Sequence, residues 1–137
     1  MSVTPSIDGN ISISAWVNFS NFDNTMAAII SKTSGSSGYG LEKTGDPENS
    51  RTISFWVGDG SSWVEVKTNT LLSNTWYHIT GTNDGFTSKI YVNGLMVNSI
   101  AQGNPSANNG DFKIGLHSSI ESSTSRYWNG LIDEVAE

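Results

Sequence analysis

Apolar and polar residues alternate along short segments of this chain, with the period of two that places successive side chains on opposite faces of a β-strand. Over residues 11–18, Ile, Ile, Ala and Val fall on one face, and Ser, Ser, Trp and Asn fall on the other. Residues 52–57 repeat this alternation. No window of helical length carries an i, i+3, i+4 apolar stripe. The pattern therefore predicts an all-β chain whose apolar faces meet between two stacked sheets.

Asp-Gly and Asn-Gly dipeptides separate the alternating segments. These residues tolerate the positive φ angles of tight turns, so we expect chain reversals where they occur. The dipeptides lie at residues 8–9, 59–60, 84–85, 93–94, 109–110 and 129–130. Strands are predicted between them, at residues 11–18, 27–32, 38–43, 51–58, 62–68, 75–82, 87–93, 95–100, 111–117 and 126–135.

Residues 75–100 contain the most specific pattern, W-Y-H-I followed by N-D-G and then K-I-Y-V-N-G. This order resembles the laminin G-like modules of the concanavalin A-like lectin/glucanase superfamily. ISISAWV at 11–17 resembles the early strand of that family, and WNGLIDEV at 128–135 resembles its near-terminal strand. The resemblance implies an antiparallel two-sheet sandwich, a concanavalin A-like jelly roll, with residues 1–137 forming a single domain. Because family members usually have another strand before ISISAWV and a longer terminal strand, we expect a module excised from a longer protein and short at one or both termini.

Charge and cysteine content exclude several functions. Thirteen acidic residues against seven basic ones give a net charge of −6, which argues against nucleic acid, because phosphate binding needs clustered Lys and Arg. Without cysteine there is no disulfide, thiolate zinc site or cysteine nucleophile. No apolar run approaches the roughly 18 residues of a membrane span. Nothing at the N-terminus resembles a signal peptide, so the chain is either cytosolic or a module excised from a longer protein. We favour excision, and we expect an extracellular, cell-surface or virion-surface location.

Catalysis is not expected, and no catalytic residue is assigned. A retaining glycosidase needs two carboxylates about 5–5.5 Å apart on one surface. In the glucanases of the resembled superfamily they come from one strand, as E-x-D-x-E or E-x-D-x-x-E. Here Glu42, Asp46 and Glu48 are interrupted by a glycine and a proline, while Asp133 and Glu134 are neighbours that point to opposite faces of a strand. The two histidines lie in no catalytic pattern.

The resemblance implies a candidate Ca²⁺ site at Asp133. In the family, an Asp of the terminal strand often joins backbone carbonyls near the N-terminus around the ion, which takes six to eight oxygen ligands. Only residues 6–10 remain here of that N-terminal segment, with Asp8 as the second carboxylate. The alternative is that Asp133 caps loop amides or faces solvent. A further hypothesis places a ligand shell at the rim, where five acids lie in or beside predicted turns: Asp23, Asp46, Asp59, Asp84 and Asp111.

Three aromatic residues are candidates for carbohydrate binding, which in such folds uses a ring against the apolar face of a sugar. Trp56 lies opposite the apolar set of its strand, Trp63 follows a turn, and Tyr91 alternates against apolar neighbours. The alternative is structural packing, since Trp is mostly buried on average. Trp16 also lies opposite the apolar set of its strand, which makes it a further candidate. Structural packing is nevertheless what we expect of the three Trp in family-type segments, Trp16, Trp76 and Trp128.

The residues and the family resemblance together leave three alternative functions. The first is a non-catalytic carbohydrate-binding or adhesion module, assisted by calcium, that binds a glycan or a surface protein. The second is a structural or assembly module of a phage or bacterial surface protein, which self-associates through unpaired edge strands. The third is an accessory domain of a glycoside hydrolase, with catalysis elsewhere in the parent chain.

Overall fold

The computed structural model describes residues 10–20, 26–44, 51–116 and 127–137. Within these ranges the elements are β1 (Ile11–Phe19), β2 (Ala27–Ser34), β3 (Ser37–Lys43), β4 (Ile53–Asp59), β5 (Trp63–Lys67), β6 (Trp76–Asn83), β7 (Thr87–Val92), β8 (Leu95–Ala101), β9 (Lys113–Ile114) and β10 (Gly130–Ala136). None of these residues forms a helix long and apolar enough to cross a membrane. The predicted all-β class is confirmed, and each predicted strand has a counterpart. The largest differences are at β9, which is only two residues long, and at β10, which begins later than predicted.

The strands form two antiparallel five-stranded sheets. The first sheet has the order β10-β1-β6-β7-β8, and the second has the order β5-β4-β3-β2-β9. Asn93 and Gly94 connect β7 to β8 with φ angles of 51° and 83°, the positive values that a two-residue hairpin turn of this kind requires. The predicted jelly-roll sandwich is therefore confirmed.

The apolar faces of the two sheets meet in one core, as the alternation predicts. Ile13, Ala15 and Val17 of β1 and Phe55 and Val57 of β4 are fully buried there. Both sheets therefore have one face in the core and one face directed away from it. The two outward faces are where side chains remain available for a ligand.

Tyr39 links the second sheet to the end of the first. Its hydroxyl donates a hydrogen bond of 2.7 Å to Oε2 of Glu137. Burial of the phenol, followed by this hydrogen bond to a carboxylate, raises the pKa of Tyr39 above its ordinary value of 10.0.

Replacing Tyr39 with Phe should change the alkaline stability of the domain. The folded protein retains the Tyr39 proton more tightly than the unfolded chain does. The stabilisation is therefore fully present below the unfolded pKa of 10.0 and is lost as the pH rises above it. We expect the Tm of the wild type to fall more steeply than that of Tyr39→Phe above about pH 10 in thermal melts. Tyr127→Phe, which removes an exposed phenol, is the control, and equal slopes for the wild type and Tyr39→Phe would contradict the assignment.

Candidate functional site

Trp56 and Trp63 lie on neighbouring strands, on the face of the second sheet that points away from the core. Phe55 and Val57 are buried on either side of Trp56, so the alternation of β4 directs Trp56 outward. The register places Trp63 of β5 opposite Gly58 of β4. The two indole rings meet edge to face, with centroids 6.5 Å apart and an interplanar angle of 80°, an arrangement that aromatic pairs favour. We call this surface the Trp56–Trp63 face.

Gly58 allows the Trp63 ring to lie against β4. A Cβ at position 58 would approach the ring of Trp63 to 3.1 Å and would collide with the carbonyl oxygen of Ser36. The absence of a side chain at this position therefore fixes how closely the second indole approaches the sheet. This glycine was not identified as part of the site from sequence, because nothing in its immediate sequence shows which residue lies across from it.

The β4–β5 turn that precedes Trp63 is held by the carboxylate of Asp59. Oδ1 accepts hydrogen bonds from the backbone N–H groups of Ser62 at 2.9 Å and of Ser61 at 2.8 Å, and these bonds lower the pKa of Asp59. Asp84 caps the β6–β7 turn in the same way, through Phe86 and Thr87. Both acids therefore bond to the backbone amides of their own turns.

Polar groups lie directly beside Trp56. Glu65 is its register partner in β5, and Lys67 is the partner of Ser54. Glu65 accepts a 2.8 Å hydrogen bond from the hydroxyl of Ser54 and pairs with Lys67 at 3.2 Å, with side-chain exposures of 27% and 29%. The surface thus presents a fixed carboxylate and an ammonium group at the edge of an aromatic pair.

The indole N–H of Trp56 is buried and finds no hydrogen-bond acceptor among the residues that the structure describes. An unsatisfied buried donor costs about 1–3 kcal/mol, and such groups are rare enough in native proteins to require an explanation.

The remainder of this outward face is closed. Gly40 lies opposite Trp56, and Ser31 lies opposite Gly40 in the next strand. Ser31, Ser54 and Glu42, which share this face, are all buried. The part of the face that a ligand can reach is therefore the β4–β5 edge, where Trp56, Trp63 and the ion pair lie.

Tyr91 lies on the outward face of the first sheet, apart from the two tryptophans. Its neighbour Ile90 is fully buried, and its register partner in β6 is Thr80. The sheets of a sandwich are about 10 Å apart, so both layers separate Tyr91 from Trp56 and Trp63. The three predicted ligand-binding residues therefore occupy two different surfaces.

The expected structural packing holds for only one of the three tryptophans. Trp128 packs on the core with its ring 4.5 Å from that of Phe19. Trp16 and Trp76 are instead 36% and 43% exposed on the outward face of the first sheet, so the expectation was wrong for them. The signal for Trp16 was present in the sequence, because the alternation of β1 places it opposite the apolar set.

The structure describes only part of the predicted calcium site, the part around Asp133. Asp133 is exposed on β10, its register partner is Trp16, and its Oδ1 accepts a 2.8 Å hydrogen bond from the backbone N–H of Glu134. Within the described ranges no group of three acidic, histidine or cysteine side chains lies close enough together to hold a metal ion. Asp8, the other predicted ligand, lies outside the described residues, as do Asp23 and Asp46 of the rim hypothesis.

Comparison with known proteins identifies the family. A laminin G-type family model, described as the concanavalin A-like lectin/glucanases superfamily, matches residues 2–136. The chain belongs to this superfamily. The resemblance seen in the W-Y-H-I, N-D-G and K-I-Y-V-N-G segments is therefore confirmed. No curated protein sequence matches the chain at a significant level.

Three solved structures illustrate the shared fold. A candidate carbohydrate-binding protein from Bacteroides ovatus is 22% identical with a TM-score of 0.76, and the match covers 98% of this chain and 38% of that one. Domains LG4-5 of the mouse laminin α1 chain are 12% identical with a TM-score of 0.74, covering 95% and 35%. Domain 4 of AbnA, an extracellular arabinanase from Geobacillus stearothermophilus, in complex with arabinotriose, is 20% identical with a TM-score of 0.71, covering 95% and 60%. This superfamily member thus spans less than two thirds of the length of each of these chains.

Proposed function

We propose that this superfamily member is a non-catalytic carbohydrate-binding module that holds a glycan on the Trp56–Trp63 face. One observation carries the proposal. Two partly exposed indoles meet edge to face beside the Glu65–Lys67 pair, and one of them has a buried N–H group without an acceptor among the described residues. None of these four side chains belongs to the hydrophobic core of the described residues.

The chemistry of the face matches that of a sugar ring. A pyranose or furanose has apolar C–H faces and a rim of hydroxyl groups, so it packs on an indole while its hydroxyls form hydrogen bonds. Glu65 accepts hydrogen bonds and Lys67 donates them. Their positions at the edge of the rings correspond to the rim of a stacked sugar.

Electrostatics favour a neutral glycan. Glu65 and Lys67 offset one another on the open part of the face. The chain carries a net charge of −6, which disfavours polyanionic ligands. Neutral oligosaccharides are therefore the first probes, with arabinotriose among them because the similar domain 4 of AbnA is seen in complex with it.

Replacing Trp63 with Ala should weaken glycan binding without unfolding the domain. Trp63 is partly exposed and lies outside the core, so its loss removes a stacking surface and little core packing. We expect Kd for the best neutral oligosaccharide to rise at least about tenfold, equivalent to about 1.4 kcal/mol. The measurement is a titration followed by the backbone amide shifts of residues 54–67, with thermal melts of each variant.

Phe86→Ala is the matched control for this titration, because Phe86 is an aromatic residue that is exposed at the β6–β7 turn, outside β4 and β5. It should leave both the shifts and Kd unchanged. The proposal is contradicted if saccharides shift no amide of residues 54–67, or if Trp63→Ala binds them as the wild type does. A large loss of Tm in Trp63→Ala would identify Trp63 as a packing residue instead.

Assembly with a second copy is the other candidate function, and edge strand β8 is the observation that favours it. Leu95–Ala101 contains no charged residue and exposes three large apolar side chains, whereas natural edge strands are usually protected by charge. The side chain of Asn98 opposes strand addition, because its Oδ1 accepts a 2.9 Å hydrogen bond from the backbone N–H of Ser99 in this strand. Its Nδ2 donates to the backbone carbonyl of Lys67 at 3.2 Å. Sedimentation at increasing concentration, without saccharide, distinguishes assembly from glycan binding.

Glycan recognition fits an extracellular, cell-surface or virion-surface setting within a longer protein. In such a protein the module would serve adhesion or act as the accessory domain of a glycoside hydrolase. Calcium at Asp133 and Asp8 stays a prediction, and chelation tests it: a Tm or a glycan affinity that falls in chelator would support a bound ion.

A further inference from the structure

The outward face of the first sheet carries a second aromatic surface. We call it the Trp16 face and define it by the outward residues of β10, β1, β6 and β7 that include Asp133, Trp16, Trp76, His78 and Tyr91. Trp16 and Trp76 are exposed, and His78 and Tyr91 are partly exposed. The register places these side chains on one side of the sheet, because Trp16 pairs with His78 and Asn18 pairs with Trp76.

The rings on this face do not stabilise the core. The core-facing positions of the same strands are occupied by other residues, such as Val17 and Ile79, which are fully buried. Two exposed tryptophans on one sheet surface bring a large apolar area into contact with water. Surfaces of this kind on soluble proteins usually mark interaction sites.

Polar groups alternate with the rings across the strands. Asp133 and His78 flank Trp16 on its two sides, and the rings of Trp16 and His78 have centroids 5.2 Å apart. Asn18 lies between Leu131 and Trp76. Since neighbouring strands are about 4.8 Å apart, each ring has a hydrogen-bonding side chain one strand away.

Tyr91 continues this pattern at the next strand. Its register partner is Thr80, whose other partner is Ser14. Two hydroxyl-bearing side chains therefore lie in line with the Tyr91 ring across three strands. The face thus extends from β10 to β7 as aromatic rings separated by carboxylate, imidazole, amide and hydroxyl groups.

This alternation indicates a saccharide rather than a protein. The buried centre of a protein–protein interface is depleted of charged groups and packs contiguous apolar side chains, whereas here the carboxylate-bearing Asp133 adjoins Trp16. A glycan presents apolar ring faces and hydroxyls in turn, at a repeat close to the spacing between strands. The mixed surface therefore complements an extended sugar chain that crosses the strands.

We propose that the Trp16 face is a second glycan-binding surface, so that one domain binds saccharides on both outward faces of its sandwich. The two surfaces share no residue, and the two layers of the sandwich separate them. Glycan binding at the Trp16 face can therefore be tested independently of binding at the Trp56–Trp63 face. A domain with two such faces bridges two glycan chains, and weak binding at each face gains from their simultaneous engagement.

The test uses the whole domain and the same panel of neutral oligosaccharides, beginning with arabinotriose. We expect saccharide to shift the backbone amides of residues 14–18 and 76–80 as well as those of residues 54–67. Trp16→Ala should raise the Kd obtained from the shifts of residues 14–18 and 76–80 at least about tenfold. It should leave the Kd obtained from residues 54–67 unchanged. Trp63→Ala should do the reverse. Trp76→Ala is the second variant for the same face, in case Trp16→Ala lowers Tm.

Two results would overturn the inference. One is a saccharide titration in which residues 14–18 and 76–80 do not respond, whatever happens at residues 54–67. The other is a dimer that forms with increasing concentration and is abolished by Trp16→Ala, with no saccharide response at this face. That result would make the Trp16 face an interface between copies of the chain. A titration in which residues 14–18 and 76–80 respond but residues 54–67 do not would refute glycan binding at the Trp56–Trp63 face. It would still support glycan binding at the Trp16 face.

Discussion

Gly81→Val is expected to lower the free energy of unfolding by about 3 kcal/mol, the upper end of the usual cost of overpacking a core. Gly81 lies in β6 with Ile13 and Ile90 as its register partners, so it faces the other sheet. A Cβ at this position would overlap the ring of Phe55. The valine side chain must therefore displace a buried aromatic ring, even though valine is favoured in strands. Urea or thermal unfolding measures the effect.

Two further variants make this result specific. Gly103→Ala adds a methyl group where no atom lies within 4 Å, so it should change stability by less than about 0.5 kcal/mol. Phe55→Leu combined with Gly81→Ala should be more stable than Gly81→Ala alone, because the smaller side chain makes room for the added methyl group. If Gly81→Val unfolds like Gly103→Ala, the two sheets do not pack as described.

Lys32→Met is expected to cost about 2–4 kcal/mol of stability, because it leaves polar groups without the charge that satisfies them. The Lys32 side chain is 3% exposed, and its Nζ donates to the carbonyl oxygens of Gly110 at 2.8 Å and of Asn108 at 3.3 Å. The carboxylates of Glu137 and Asp111 also interact with this ammonium group. Methionine fills the same space but provides no donor.

The loss should be visible locally as well as globally. The N–H of Ser106 donates to the carbonyl of Gly58 at 2.9 Å, and the N–H of Gly110 donates to Oδ1 of Asn108 at 2.8 Å. Hydrogen exchange at both amides should accelerate in Lys32→Met more than exchange in β1. Lys89→Met, at a partly exposed position, is the control and should change stability by less than about 1 kcal/mol. Wild-type stability in Lys32→Met would show that the ammonium group does not hold residues 103–111.

The strands and turns were predictable because their causes are local. A period of two in polarity, together with Asn-Gly and Asp-Gly turns, depends only on neighbouring residues. The outward direction of Trp56 followed from the same alternation. For Trp16 two signals disagreed. The family resemblance predicted structural packing, whereas the alternation correctly placed its ring outside the core.

The remaining features depend on which strands lie side by side, and alternation does not determine this. Tyr91 and Trp56 both point away from the core, but only the strand order shows that they lie on opposite sides of the sandwich. Lys32 interrupts an apolar segment, and its partners are 76 and 78 residues away along the chain. The β-bulge between Ala28 and Ile30 likewise has no sequence signal that we recognised.

The most direct test of glycan binding is a glycan array probed with the multimerised domain, with calcium and with chelator in parallel. We predict reproducible binding to a related set of neutral glycans, and weaker binding for a multimer of Trp63→Ala. Loss of the signal in chelator would show that calcium supports the site, whereas an unchanged signal would refute the predicted calcium assistance. A blank array under both conditions, with the domain shown to be folded, would contradict carbohydrate recognition and favour assembly with a protein partner.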